Sequence, residues 1–329
     1  MVTSPRTLGR YDVLAPLGGG GMATIYLGRA REPAGERAPV ALKVIKQELA
    51  LDTRYVDMFH DEARLLVRLA HPNIIRTLEA GIEGDHTFIA MELLLGRAVA
   101  DVSDELTRRG EHIPYPLAAW IGARVADALH YAHELTDDDG VRLDLVHRDV
   151  NPTNIMATYD GGVKLIDFGL AKSARRRSRS QEGIIKGKVP YLSPEQIELR
   201  DVDHRSDLYT LGATLWEMTT GRRLWKRDTD LETVRAIAAG VVPDPTSFMP
   251  GYPDELWAIV WESLLPQSDD RFKNAAAMAR DLDAFVAGGK GSSAGMGAEL
   301  AELLEKAFPG ERVKREAWVR EAMGQQDTT

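Results

Sequence analysis

Two carboxylates and one amide lie close together near the middle of the chain, in a pattern that could support phosphoryl transfer. Asp149 and Asn154 belong to one short polar run, and Asp167 follows Asn154 after thirteen residues. Carboxylate and amide oxygens are the ligands that Mg²⁺ prefers, and phosphates complete its coordination shell. Asn154 and Asp167 therefore suit metal binding, which leaves Asp149 to accept a proton from a hydroxyl group.

Each of these three residues also has a purely structural interpretation. Asp149 could form a turn, Asn154 could cap a helix or a strand, and Asp167, which precedes Phe168-Gly169, could begin a turn. The order and spacing of all three together favour the chemical interpretation.

A glycine-rich segment near the N-terminus could bring backbone N–H groups close to phosphate oxygens. Leu17 is followed by four glycines, Gly18 to Gly21, between two candidate strands. Glycine has no side chain to obstruct such an approach. A tight hairpin is the alternative, and the Walker pattern is excluded because no Gly-Lys-Ser/Thr follows.

A lysine lies in the middle of the next predicted strand. Lys43 is flanked by apolar residues within Val40–Ile45. A buried ammonium needs a partner anion, because an unpaired buried charge costs several kcal/mol. Glu62, on a helix predicted from Thr53 to Ala70, is the natural candidate. The alternative is an edge lysine that faces solvent.

The pattern of apolar residues predicts an α+β protein with a small sheet-rich lobe followed by a larger helical lobe. Strands are expected up to about Leu95, including Val40–Ile45 and Thr87–Met91. Apolar residues at helical spacing predict helices over Leu117–Leu135, Ser206–Thr220, Leu231–Ala239, Leu256–Leu265 and Ala275–Val286.

The C-terminal segment is predicted to be a separate helical tail after a Gly/Ser-rich linker. An apolar stripe at helical spacing consists of Leu300, Leu303, Leu304, Ala307 and Phe308. Pro309-Gly310 should end that helix, and a second helix with Val313, Ala317 and Trp318 is expected. The tail could pack back on the larger lobe, or it could be a docking or dimerisation segment.

Composition excludes several classes of function. The net charge of -9 argues against nucleic acid as the main partner, because binding a phosphate backbone requires clustered cations. The sequence has no cysteine, which excludes disulfides and fits a reducing, cytoplasmic location. No apolar run reaches the roughly 18 to 20 residues that span a bilayer. Residues Met1 to Arg10 lack the apolar core typical of a secretory signal. A zinc enzyme is not expected, since no His-x-x-x-His pair with an adjacent helical Glu occurs.

With these residues in view, the chain resembles the eukaryotic-like serine/threonine protein kinases of bacteria, from Leu17 to Arg271. The resemblance implies a bilobal protein-kinase fold over residues 11–286, with an N-lobe at 11–95 and a C-lobe at 96–286. A linker at 287–297 and a helical tail at 298–323 would follow. It also implies an enzyme that uses Mg²⁺ and transfers the γ-phosphate of ATP to protein hydroxyls, with no nucleic-acid partner.

The resemblance assigns a role to each matching residue. Asp149 would be the catalytic base, Asn154 and Asp167 the metal ligands, and Lys43 would bind the α- and β-phosphates and pair with Glu62. The remaining nucleotide contacts would come from Leu17, Gly18 and Gly20 in the glycine-rich loop, from Ile25, Ala41 and Met156 around the adenine ring, and from Glu92 and Leu94 at its edge, with Met91 as gatekeeper. Two structural roles follow as well. Asp207 would brace the segment His147–Asn154, which is called the catalytic loop below. Glu195 and Arg271 would form an ion pair.

Three residues depart from the family pattern. Ala23 replaces the third glycine of the loop, Asn151 replaces a lysine that contacts the γ-phosphate, and Lys188 replaces a threonine near Asp149. Lys188 lies in the activation segment, which follows Asp167 in the chain. We expect its ammonium group to supply the positive charge that Asn151 lacks, and we therefore count it with the catalytic residues. The alternative is that Lys188 faces solvent and the chain is a nucleotide-binding pseudokinase or scaffold with weak or no transfer.

The segment that carries Lys188 also suggests regulation. Arg148 directly precedes Asp149, and in kinases with this pairing a phosphate on the activation loop commonly orders the loop. Ser178 and Ser180 lie among several arginines, where a phosphate would add about -1.5 to -2 charges. The alternative is a solvated basic loop without a phosphate.

Overall fold

The computed structural model describes residues 6–21, 23–31, 38–46, 63, 65–168, 189–289 and 295–324. The chain divides into two compact units. Residues up to Leu95 form the first unit together with residues from Pro309 onward, and Gly96–Phe308 form the second. The expected α+β fold, with a sheet-rich N-terminal part and a helical C-terminal part, is confirmed.

The first unit contains a six-stranded sheet with the order β1-β2-β3-β4-β6-β5. All the pairings within it are antiparallel. The strands are β1 (Thr7–Leu8), β2 (Tyr11–Gly19), β3 (Ala23–Ala30), β4 (Pro39–Ile45), β5 (Thr77–Glu83) and β6 (His86–Glu92). Strand β4 is an interior strand of this sheet, as the apolar run around Lys43 predicted.

The two faces of β4 differ because successive side chains of a strand point to opposite faces. Val40, Leu42 and Val44 belong to the hydrophobic core of the unit, where Tyr11 and Phe88 meet edge to face at a centroid distance of 6.2 Å. The alternate residues of β4 therefore lie on the opposite face of the sheet.

Only the C-terminal end of the helix predicted over Thr53–Ala70 lies among the described residues. Residues 65–68 are helical, and the chain has left the helix before Pro72. The proline accounts for this end, because the residue before it is disfavoured in helical geometry.

The second unit is mainly helical, with one small sheet. Its strands are β7 (Gly96–Ala98), β8 (Ile155–Thr158) and β9 (Val163–Leu165), in the order β7-β8-β9. Its helices are α1 (Val99–Arg108), α2 (Tyr115–His133), α3 (Pro194–Ile197), α4 (Arg205–Thr220), α5 (Asp230–Ala239), α6 (Asp254–Ser263), α7 (Ala275–Gly288) and α8 (Met296–Ala307). The five helices predicted by spacing are confirmed, with ends that shift by at most two residues.

Helix α2 forms the centre of the second unit and packs against α4 and α7. It is buried on nearly all sides, which its continuous apolar sequence allows. Gly122 permits close packing, because a Cβ atom at this position would lie 2.7 Å from a methyl group of Leu215 on α4. The same helix ends at His133, whose side chain takes part in the candidate site.

The two tail helices belong to different units. Helix α8 packs against α1, α2 and β8, with Met296, Leu300 and Leu304 fully buried. The second tail helix, α9 (Glu311–Gly324), packs against β2 in the first unit. The prediction that the tail packs on the larger lobe is therefore right for α8 and wrong for α9.

The expected second tail helix is present as α9, and its larger apolar residues are mostly exposed. Val319 is the buried residue of α9, whereas Val313 and Trp318 are exposed. The sparse apolar residues of this helix do not form one stripe, so spacing alone could not identify the packed face. Within the described residues, no helix combines the length and the apolar character that crossing a bilayer requires.

Candidate active site

The backbone of the catalytic loop is held by one fully buried carboxylate. Asp207, near the start of α4, accepts hydrogen bonds from the backbone N–H of His147 at 2.8 Å and of Arg148 at 2.7 Å. It also pairs with Nε2 of His133 at 2.8 Å. Arg148 has a φ of 65°, a strained conformation that these bonds help to maintain. The predicted bracing role of Asp207 is confirmed, whereas His133 was not foreseen.

His147 connects the catalytic loop to the segment that carries Asp167. Its Nδ1 accepts from the backbone N–H of Asp149 at 3.2 Å, and its Nε2 donates to the carbonyl of Ile166 at 3.2 Å. The ring also packs against Phe168 with a centroid distance of 4.5 Å. A fully buried imidazole therefore determines the relative position of the two carboxylate-bearing segments within the second unit.

The carboxylate of Asp149 receives an amide donor on each oxygen. Nδ2 of Asn154 donates to Oδ2 at 3.0 Å, and Nδ2 of Asn151 donates to Oδ1 at 3.2 Å. Both amides also donate to the carbonyl of Asp149 at 2.8 Å. Asp149 is 9% exposed, so this proposed base is largely shielded from solvent.

Asn154 and Asp167 lie at the same end of the β8–β9 hairpin. Ile155 pairs with Leu165, and the N–H of Ile166 donates to the carbonyl of Asn154 at 2.9 Å. Asp167 itself has a φ of 56°. The structure thus brings the two predicted metal ligands to neighbouring backbone positions.

The donor chemistry of these two residues fits Mg²⁺. The amide nitrogen of Asn154 donates to Asp149, so its amide oxygen faces away from that carboxylate. That oxygen and the Asp167 carboxylate are hard ligands, and Mg²⁺ commonly binds one or two such protein groups together with phosphates and water.

In the first unit, the register of the sheet aligns four positions across neighbouring strands. Gly18 pairs with Ile25, Ile25 with Lys43, and Lys43 with Ile89. Directly paired residues share a face of the sheet. Lys43, which is half-buried, therefore shares the face opposite the hydrophobic core with the predicted nucleotide contacts Gly18 and Ile25.

Two further predicted contacts lie on the same face. Ala41 is two residues from Lys43 on β4, and it pairs with the predicted gatekeeper Met91 on β6. Both side chains are buried. Ala41 and Met91 therefore place apolar side chains on the face that carries Lys43.

The glycine-rich segment is an exposed hairpin. The N–H of Gly20 donates to the carbonyl of Ala23 at 2.9 Å, which closes the turn. A Cβ atom at Gly18 or Gly20 would meet no described atom within 4 Å, so packing does not explain these glycines. Leu17, just before them, is half-buried. This openness is compatible with a loop that approaches a phosphate through its backbone.

The remaining predicted nucleotide contacts are more dispersed. Met156 is the partly exposed residue of β8, between buried neighbours. Leu94 is half-buried. The carboxylate of Glu92 accepts from the backbone N–H of Arg76 at 2.8 Å, and the backbone N–H of Glu92 donates to the carbonyl of Arg76 at 3.0 Å. Both groups of Glu92 therefore stabilise the first unit.

Several predicted residues lie outside the described part of the chain. They are Glu62, the expected partner of Lys43, together with Lys188, Ser178 and Ser180. The roles proposed for these four residues stay predictions.

The predicted structural pair is confirmed as a buried, bidentate ion pair. Arg271 donates to Glu195 at 2.8 and 2.9 Å, and both side chains are at most 5% exposed. Next to it, Nε2 of Gln196 donates to the carbonyl of Arg148 at 3.0 Å. This contact connects α3 to the catalytic loop. Nothing in the amino-acid sequence indicated this contact beyond the position of Gln196 next to Glu195.

Comparisons with known proteins agree with this geometry. Residues 11–277 match the family described as "Protein kinase domain". The chain is 35% identical over 304 residues to Tyrosine-protein kinase MasK of Myxococcus xanthus, covering 92% of this chain and 47% of that protein. It is 34% identical over 277 residues to Serine/threonine-protein kinase PknL of Mycobacterium tuberculosis, covering 84% of this chain and 66% of PknL.

A solved structure gives the same result for the fold. The kinase domain of PknI from Mycobacterium tuberculosis superimposes with a TM-score of 0.63 at 27% identity, over 86% of this chain and 99% of that domain. The chain spans about half to two thirds of the length of MasK and PknL. The fold, the motif residues and these similarities lead to one conclusion: the chain belongs to the protein kinase family.

Proposed function

We propose that this chain is an ATP- and Mg²⁺-dependent protein kinase that phosphorylates serine or threonine hydroxyls. The observation that carries the proposal is the hydrogen-bonded setting of Asp149, whose carboxylate is oriented by two amides in a loop braced by Asp207. A protein that only bound nucleotide would have no need to orient this carboxylate so closely.

The reaction follows from the roles of these residues. The acceptor hydroxyl gives its proton to the carboxylate of Asp149, and its oxygen forms a bond to the γ-phosphorus of ATP. The bond between that phosphorus and the β–γ bridging oxygen breaks, and ADP leaves with the electron pair. Lys43 would bind the α- and β-phosphates, and Asn154 and Asp167 would hold Mg²⁺. The bound ion would neutralise charge on the phosphate oxygens.

The choice of acceptor rests on the catalytic loop. Asn151-Pro152-Thr153-Asn154 lacks the Ala-Ala-Arg pattern typical of tyrosine kinases, which favours serine or threonine. PknL carries the serine/threonine name, whereas MasK is named a tyrosine kinase. Phosphoamino-acid analysis of a labelled protein substrate separates the two acceptors. The absence of cysteine favours a reducing, cytoplasmic location, and we place the activity there.

The proposal is tested by removing the base. Asp149→Asn should lower turnover by about 10²- to 10⁴-fold, because the hydroxyl then loses its proton acceptor. The measurement is transfer from labelled ATP to a generic basic protein, with wild type and variant at equal concentration. Equal labelling at background level in both proteins would indicate the alternative, a nucleotide-binding pseudokinase or scaffold.

The proposed contribution of Lys188 has its own test. If this lysine supplies the cation that Asn151 cannot, Lys188→Met should lower turnover by roughly 10²-fold, as the loss of one electrostatic stabiliser commonly does. The same labelling assay measures the effect, with Lys186→Met as a control in the same segment. Unchanged turnover in Lys188→Met would contradict this role.

A further inference from the structure

Asn151 occupies the position where the family pattern has a lysine, and the structure gives its side chain a different task. The residue is 1% exposed, so its amide cannot point freely into solvent. Both ends of the amide are used inside the catalytic loop. Asn151 therefore does not only lack the charge of a lysine, because its side chain makes hydrogen bonds within the catalytic loop.

The oxygen end determines which way the amide faces. Oδ1 of Asn151 accepts from the backbone N–H of Thr153 at 3.0 Å and also from the Thr153 hydroxyl. Two donors on one side require an acceptor there, so the amide nitrogen must face the opposite way. That nitrogen donates to the carbonyl of Asp149 at 2.8 Å and to its Oδ1 at 3.2 Å.

Asn154 completes the arrangement from the other side of the same carboxylate. Its amide nitrogen donates to the carbonyl of Asp149 and to Oδ2, so each carboxylate oxygen has one amide donor. The end of a carboxylate side chain otherwise rotates over a broad range. One donor on each oxygen defines the plane of the group and leaves its remaining lone pairs in determined directions.

We propose that Asn151 is a positioning residue for the proposed base: it holds the plane of the Asp149 carboxylate for proton transfer. The inference rests on the proposed function for its effect on rate, whereas the orientation itself is a property of the loop. Thr153 supports this role through the hydroxyl that orients the Asn151 amide. Rates of oriented proton transfer respond strongly to such positioning, and a misplacement of about 1 Å can cost roughly 10²-fold.

The test separates positioning from simple capping of the turn. Serine and threonine also cap through a side-chain oxygen, so Asn151→Ser and Asn151→Thr both keep an oxygen for the N–H of Thr153 without adding a charge beside Asp149. Both remove the amide nitrogen that faces Asp149. The matched control is Asn274→Ser, because Asn274 caps α7 by accepting from the N–H of Ala277 at 2.9 Å.

We expect both Asn151 variants to lower kcat by roughly 10- to 10²-fold while KM for ATP changes by no more than about twofold. The kcat of Asn274→Ser should stay at the wild-type value. Thermal midpoints, which also register the buried donor lost at Asp149, show that each variant is folded at the assay temperature. A kcat equal to that of Asn274→Ser in both Asn151 variants would overturn the inference.

Crystal structures of wild type and Asn151→Ser give a second readout that does not depend on transfer. The wild-type carboxylate of Asp149 should have a single orientation with both amides in place, and the variant should show it rotated or in several conformers. An unchanged carboxylate plane in Asn151→Ser would refute the positioning role. If wild type transfers no faster than Asp149→Asn, the proposed function fails, and the two crystal structures still decide the inference.

Discussion

At the scale of single residues, the site depends on buried polar groups that satisfy one another. Asp207 accepts from two backbone N–H groups and a histidine, and Asp149 accepts from two amides. A buried polar group that loses its partner costs about 1 to 3 kcal/mol, and more if it is charged. The same groups that define the chemistry therefore also contribute to the stability of the second unit.

The buried ion pair shows this dependence most clearly. Arg271→Met should reduce the free energy of unfolding by about 3 to 5 kcal/mol, because it leaves the Glu195 carboxylate buried without its partner. Arg312→Met, which removes an exposed pair with Glu316 on α9, is the control and should cost less than about 0.5 kcal/mol. Urea unfolding of the two variants measures both values, and similar losses would contradict the expectation.

The same pair predicts a pH dependence. Burial pushes the pKa of Glu195 upward, but the hydrogen bonds and charge of Arg271 outweigh it, so the pKa lies below its ordinary value of 4.5. A depressed pKa means that the pair stabilises the fold above about pH 4.5 and that this contribution fades as the pH falls further. The difference in stability between wild type and Arg271→Met should therefore shrink below pH 4.5, which unfolding curves at several pH values would measure.

At the scale of elements, the β8–β9 hairpin has two functions. One end of it holds Asn154 next to the segment of Asp167, and its turn contacts the first turn of α8. Gly161, in that turn, has a φ of 88°, and a Cβ atom there would lie 2.1 Å from the carbonyl oxygen of Gly297. Arg109 caps the other end of α8 by donating to the carbonyls of Lys306 and Ala307. Helix α8 is thus an integral part of the second unit.

A matched pair of glycine variants tests this packing. Gly161→Ala and Gly140→Ala both place alanine at a left-handed φ, which costs about 1 to 2 kcal/mol. Only Gly161→Ala also creates a clash with backbone, since no described atom lies within 4 Å of a Cβ at Gly140. Gly161→Ala should therefore lose a further 1 to 3 kcal/mol or so of unfolding free energy. Equal losses in urea titrations of the two variants would show that α8 can move away without cost.

At the scale of the whole molecule, the tail is divided between the two units. Helix α9 belongs to the first unit, where Arg29 donates to the carbonyl of Met323 at 3.0 Å and also pairs with Asp12 on β2. Arg29 is 6% exposed, so the carbonyl of Met323 and the carboxylate of Asp12 bind a guanidinium that is largely enclosed in the first unit. The tail therefore supports the sheet-rich unit through its last helix.

Hydrogen exchange can localise that support. In a chain that ends at Phe308, amides of β2 and β3 should exchange several-fold faster than in the full chain, because α9 no longer covers them. Amides of α4, in the second unit, should exchange at unchanged rates and serve as the internal control. Unchanged exchange in β2 and β3 would mean that α9 contributes nothing to this sheet.

The amino-acid sequence by itself determined the parts that depend on local pattern and side-chain chemistry. Helical spacing predicted α2, α4 and α7, because periodicity is visible in short stretches. Motif order predicted the roles of Lys43, Asp149, Asn154 and Asp167, which stay predictions. The tertiary structure decided what lies beyond that range. The contact of His133 with Asp207 joins residues 74 positions apart, and spacing carries no signal for such a pair. The direction of the Asn151 amide and the buried face of α9 depend likewise on which groups the folded chain places beside them, since hydrogen bonds and packing are made between neighbours in space.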